Sequence, residues 1–114
     1  MNFNINKVKI FVTVPKENLE EIRNAMCNAG AGIIGNYTFC TTTTNSTGTF
    51  LPNENAHPYI GNQKKLEFVQ EEKLEVICNI EHVKNVINAL RKVHPYEEPA
   101  IDIVPLLEEK DFFN

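Results

Sequence analysis

A chain of 114 residues, 42% hydrophobic and 23% charged, fits one globular domain with a core of its own and leaves little room for a second. The formal net charge of -4, with lysines interspersed among glutamates, excludes the basic stripe of a duplex binder, so no nucleic-acid partner is expected. No apolar run approaches the ~20 residues of a membrane span, so no membrane association is expected either. The opening MNFNINKVKIFVTV is interrupted by lysines and reads as a strand, not as a signal peptide. Cys27, Cys40 and Cys78 are odd in number and lack CxxC spacing. They suit small core hydrophobes in a reducing cytoplasm, which is the expected location.

From residue 5 to 14 the apolar residues alternate. Val8, Ile10, Val12 and Val14 share one face, and Lys7, Lys9, Phe11 and Thr13 the other, as in a half-buried strand ended by Pro15. From Lys16 to Ala29 the period changes. Leu19, Ile22, Met26 and Ala29 recur at three- and four-residue spacing, with glutamates near the start and Gly30 and Gly32 as the stop, which predicts an amphipathic helix. A second strand is expected over Ile33 to Thr44, followed by a hairpin turn within Thr43 to Gly48, where the Thr, Asn and Gly residues are turn formers, and a short return over Thr49 to Leu51. Pro52 to Asn62, rich in Pro, Asn and Gly, predicts an ordered loop.

A third strand is expected within Lys65 to Cys78, with Leu74, Val76 and Cys78 on one face and KLEFVQEE as an extension. Asn79 is placed to cap a second helix whose stripe is Val83, Val86, Ile87, Leu90 and Val93. Arg91, Lys92 and His94 crowd its end, where the helix dipole favours cations, and Pro95 stops it. Ile101 and Ile103 mark a last strand ended by Pro105. Residues 1–107 thus form a single domain, and 108–114 an acidic-aromatic tail. The order β-α-β-β-α-β predicts an α+β, ferredoxin-like antiparallel sheet with both helices on one face. Right-handed crossovers put the first and third strands in the middle and the second and fourth at the edges.

Four segments go beyond this generic pattern: AGAGIIGNYTFC at 29–40, TGTFLPNENAHPYIG at 47–61, KLEFVQEEKLEV at 65–76 and HPYEEPAIDIVPL at 94–106. In this order they resemble the insert module of the YqfO-type, NGG-interacting-factor-like proteins, which is similar in fold to the PII signalling and CutA proteins. The resemblance covers nearly the whole chain and implies a PII/CutA-like fold and a homo-oligomer, a trimer favoured and a dimer as the alternative. In full-length members two flanking lobes carry a dinuclear metal site. The chain is expected to contain only the insert, so that site and the cyclohydrolase activity attached to it are not carried over.

The most distinctive chemistry is HPYEEP, His94 to Pro99. The helix terminus favours the charged form of His94, and a histidine with Glu97 and Glu98 within a few residues can bind a divalent ion or a cationic ligand, or move protons. The same residues also suit a purely structural helix-to-strand connection with Tyr96 packed on the sheet. The loop at 53–61 holds a second His-Pro-Tyr, formed by His57, Pro58 and Tyr59, and reads either as a lid over a pocket or as an oligomer contact. His57, Tyr59, His94, Tyr96, Glu97 and Glu98 are therefore the ligand-binding candidates. Cys40 joins them as the thiol in the resemblance segment, against a core-packing alternative. His57 and His94 are weak metal candidates, and a divalent metal is the one cofactor considered. No catalytic residue is assigned. TGTF at 47–50 reads as a turn before a phosphate loop, and AGAG as a helix cap before a dinucleotide fingerprint. Ser46, in the expected turn, has no partner for nucleophilic chemistry.

The expected function is a small oligomeric binding and regulatory module, not an enzyme by itself, with a small-molecule or metal ligand between subunits near His57 and His94. The alternatives are a metal-binding or metal-dependent protein and an interaction domain whose handle is the tail.

Overall fold

The structure, a computed structural model, describes residues 3–113; Met1 and Asn2 of the opening segment and Asn114 of the tail lie outside the described residues. Four strands and two α-helices follow in the order β1 (Lys7–Pro15), α1 (Leu19–Asn28), β2 (Thr41–Phe50), β3 (Glu67–Asn79), α2 (Val83–Val93) and β4 (Ile101–Leu106), with short 3-10 turns before each helix and after β4. The sheet is antiparallel with strand order β2-β3-β1-β4, so β1 and β3 are central and β2 and β4 are edges. This is the ferredoxin-like arrangement expected from the element order.

The core follows from the period of two. Val8, Ile10, Val12 and Val14 of β1 and Leu74, Val76 and Cys78 of β3 are buried on the face that meets the helices. Ile22, Met26 and Cys27 of α1 and Val86 and Leu90 of α2 close over them. Each such buried aliphatic side chain contributes about 1.5–3 kcal/mol of transfer free energy.

Two predicted elements move. The segment 33–40 is not a strand: it is a tight excursion, bridged between Ile34 and Tyr37 and pinched at its base by the Cys40 N–H donating to the Gly32 carbonyl at 2.9 Å. Positive φ angles at Gly32 (+78°), Gly35 (+57°) and Phe39 (+56°) break the extended backbone there. The second strand lies one segment later, and it runs straight through Thr43 to Gly48, where a turn was expected. Ten residues of β2 pair with β3 without interruption, from Thr41↔Val76 to Phe50↔Glu67. Ser46 is therefore a strand residue, its hydroxyl donating to the Glu71 carbonyl at 3.2 Å. Local turn chemistry loses to a continuous ladder of β-branched threonines.

Asn79 precedes the turn that leads into α2, but its side chain makes no capping hydrogen bond. β1 ends opposite β3 at Pro15↔Glu71, while the pairs from Thr47↔Gln70 to Phe50↔Glu67 continue beyond it as a two-stranded ribbon. The molecule is elongated, 55 × 29 × 24 Å. The tail turns back on the sheet: Lys7 pairs with Glu108 at 3.2 Å, and the Phe3 and Phe112 rings lie 5.7 Å apart. Among the described residues no helix is long and apolar enough to cross a membrane.

Candidate functional site

The site grows from the connection between α2 and β4. Pro95 lacks an N–H to continue the helix, and the chain turns across the end of β1. His94 then points inward. It is only 8% exposed, and both ring nitrogens are engaged: Nε2 lies 2.9 Å from the Thr13 carbonyl, and Nδ1 accepts the Tyr96 N–H at 3.1 Å. An acceptor role at Nδ1 and a carbonyl facing Nε2 fix the neutral Nε2–H tautomer. The expectation of a charged His94 is thus corrected. Burial lowers its pKa from the ordinary 6.5, against the opposing pull of the Thr13 carbonyl and Glu71. A helix terminus is worth a few tenths to about 1 kcal/mol to a surface cation, too little to offset desolvation of a buried one.

Tyr96 lies over His94, ring centroids 4.9 Å apart, and its hydroxyl donates to Glu71 Oε2 at 2.7 Å. Burial, and then this carboxylate, raise the phenol pKa well above 10.0, so the proton stays on the tyrosine. Glu71 projects from the open face of β3 because the residues of opposite parity, Glu72, Leu74 and Val76, are buried on the other. It crosses β2 at Gly48, where a Cβ would overlap its carboxylate. A glycine in the middle of a strand, normally a weakness, leaves here the room into which the Glu71 carboxylate reaches.

The loop 51–66 supplies the opposite wall. Asn53 Oδ1 accepts the Asn55 N–H at 2.9 Å, and Gln63 Nε2 donates to the Ala56 carbonyl at 2.8 Å. The loop is fastened to the α2–β4 connection by the His57 N–H, which donates to Glu97 Oε2 at 3.0 Å, and by the Tyr59 and Tyr96 rings, tilted with centroids 6.2 Å apart. The two His-Pro-Tyr segments therefore meet within one chain, through their tyrosines. Between them lies a cleft of about 410 Å³, floored by Thr13 and Glu71 and walled by Phe50, Tyr59, Tyr96 and Glu98, among others. That volume is in the range of small-molecule sites.

Of the candidates read from the sequence, Tyr59, Tyr96, Glu97 and Glu98 line this cleft. His57 is exposed beside it and offers its backbone to Glu97. His94 stands behind Tyr96 with no nitrogen to spare. Cys40 precedes β2 at the strand end remote from the cleft, its Sγ 3.8 Å from the Thr38 carbonyl and its backbone beside Gly32. Among the described residues no three His, Cys, Asp or Glu side chains converge as a metal-holding group. Sequence reasoning missed Glu71, Thr13 and Gly48. Strand parity signalled that Glu71 faces away from the core, but nothing in the sequence signalled its partner.

No family model matches the chain. It is 48% identical over 101 residues to a Halalkalibacterium halodurans protein named GTP cyclohydrolase 1 type 2 homolog, a match covering 89% of this chain and 27% of that protein. The chain thus spans about a quarter of the length of the curated relatives it matches. Among solved structures, a Bacillus cereus protein related to NIF3 is 40% identical with a TM-score of 0.79, over 92% of this chain and 27% of the other. CutA from Synechococcus elongatus (14% identical, TM-score 0.68, 93% and 81% covered) and a Bacillus subtilis GlnK–ATP complex (13%, 0.61, 89% and 82%) share the fold alone.

Proposed function

We propose that this chain, a homologue of the PII/CutA-like insert module of the YqfO-type, NIF3-related proteins, is an oligomeric, cytoplasmic binding module whose ligand occupies the cleft between the two His-Pro-Tyr segments. The observation that carries this reading is the fastening of a long loop onto the α2–β4 connection through His57–Glu97 and Tyr59–Tyr96, around a cleft of ligand size. Long loops held in one conformation by internal hydrogen bonds are commonly functional. Tyr59, Tyr96, Glu97 and Glu98 are the contact residues, and His57 borders the entrance. His94 positions Tyr96 by accepting its N–H, and Cys40 is left outside the cleft.

Self-association is supported by the two sheet edges and by apolar side chains left bare on the chain, among them Ile103 and Val104 of β4 and Phe68 of β3. A closed ring of copies removes such edges, and a trimer is the expected number, with a dimer as the alternative. The relatives' name belongs to chains of which this one matches about a quarter, so the module is proposed to bind without completing a reaction alone. Light scattering at micromolar concentration, combined with a thermal-shift screen of small metabolites and divalent metals, tests the reading. A trimer stabilised by a compound whose effect Tyr59→Ala abolishes is expected. A monomer that no compound stabilises would refute it.

A further inference from the structure

Among the described residues three carboxylates, Glu71, Glu97 and Glu98, line the cleft, and no lysine, arginine or histidine does. The hydrogen-bond partners of two of them are neutral groups, the Tyr96 hydroxyl on Glu71 and the His57 amide on Glu97, which orient a carboxylate without cancelling its charge. The ion pairs among the described residues use other carboxylates: Lys7 and Lys110 with Glu108, Lys9 with Glu75, Lys64 with Glu54 and His82 with Glu81. Lys73, two residues along β3 from Glu71, lines the adjoining hollow and lies over the Phe11 ring, 5.2 Å from its centre.

The remaining walls are aromatic and apolar, with Phe50, Tyr59 and Tyr96 foremost. Aromatic faces carry negative potential and attract cations, most strongly those that are bulky and weakly hydrated. A bare divalent ion asks instead for several ligand atoms converging at about 2–2.5 Å, and these carboxylates stand around a space of some 410 Å³ without forming such a group.

We infer that the cleft selects an organic cation, a compact alkylammonium group packed against the Tyr59 and Tyr96 rings with Glu98 and its neighbouring carboxylates as counter-charges. This rests on the cleft being a ligand site. Glu98 is the discriminating residue because no hydrogen bond among the described residues uses its side chain, so Glu98→Gln is expected to leave the architecture alone.

The probes are choline and its uncharged carbon isostere 3,3-dimethylbutan-1-ol, titrated into the full chain and followed by amide and tyrosine-ring NMR shifts. Choline is expected to bind about tenfold more tightly than the isostere. Glu98→Gln is expected to weaken choline about threefold and leave the isostere unchanged, and raising the salt is expected to weaken choline alone. Equal binding of the two, or preferential binding of ADP or of manganese(II), would overturn the choice of an organic cation while leaving the cleft as a ligand site. If none of the four probes moves the Tyr59, Tyr96 or Glu98 resonances, the cation inference and the proposed site fall together.

Discussion

Replacing His94 with leucine roughly keeps the side-chain volume and removes both polar atoms. The Thr13 carbonyl and the Tyr96 N–H then lose their partner in a place where His94 itself is 8% exposed. Each orphaned backbone group costs about 1–3 kcal/mol, and the added apolar burial returns about 1 kcal/mol. The net loss is therefore about 1–5 kcal/mol. With a urea slope of about 2 kcal/mol per molar, the unfolding midpoint falls by roughly 0.5–2.5 M. The same histidine makes stability depend on pH. Its pKa is lowered in the fold relative to the unfolded 6.5, so the unfolded chain binds more protons over the window just below that value. The His94 contribution is fully present above pH 6.5 and declines as the pH falls towards the folded pKa. Urea melts by circular dichroism at fixed protein concentration, between about pH 7.5 and pH 5, give both quantities. A His94→Leu variant within about 0.5 kcal/mol of the parent, or one that keeps the parent's slope below pH 6.5, would refute this account of the site.

Tyr96→Phe should remove the most alkaline component from the tyrosine absorbance titration and cost about 1–2 kcal/mol in the same melts, since it deletes a hydrogen bond to a carboxylate. In the parent, because the folded pKa is raised, this contribution holds below pH 10.0 and fades above it. Gly48→Ala should force Glu71 away from Tyr96, lowering the phenol pKa in that titration while far-ultraviolet dichroism stays unchanged. Leu90→Ala, at a fully buried position against the sheet, should cost about 2–5 kcal/mol by urea denaturation without altering the Tyr96 titration.

Much of the scaffold was legible because it rests on local periodicity. Val8 to Val14 alternate as a strand must, and Val86 and Leu90 recur as a helix must, and both sets are buried. The second strand was misplaced by one segment for an equally physical reason. Asn45, Ser46 and Gly48 favour a turn when read alone, but every residue there is paired across to β3, and that ladder is invisible to a local reading. Conversely, IIGNYTFC alternates plausibly and is broken by backbone angles at Gly32, Gly35 and Phe39. In the cleft the repeated His-Pro-Tyr drew notice to Tyr59 and Tyr96. Glu71, however, reaches Tyr96 across 25 positions, and His94 turns towards a carbonyl 81 positions away. Partnerships of that range are set by the sheet register and by the turn at Pro95, neither of which leaves a mark in the residues concerned.

The overhang of β2 and β3 past the end of β1 has a mechanical consequence. A pair of strands with no third neighbour twists and bends more readily than the four-stranded base from which it springs. Phe50 sits at its tip and Glu71 at its root, so one lip of the cleft rides on a lever whose fulcrum is the Pro15↔Glu71 pair. A swing of that lever would change the aperture of the cleft while leaving the helix-covered part of the sheet in place.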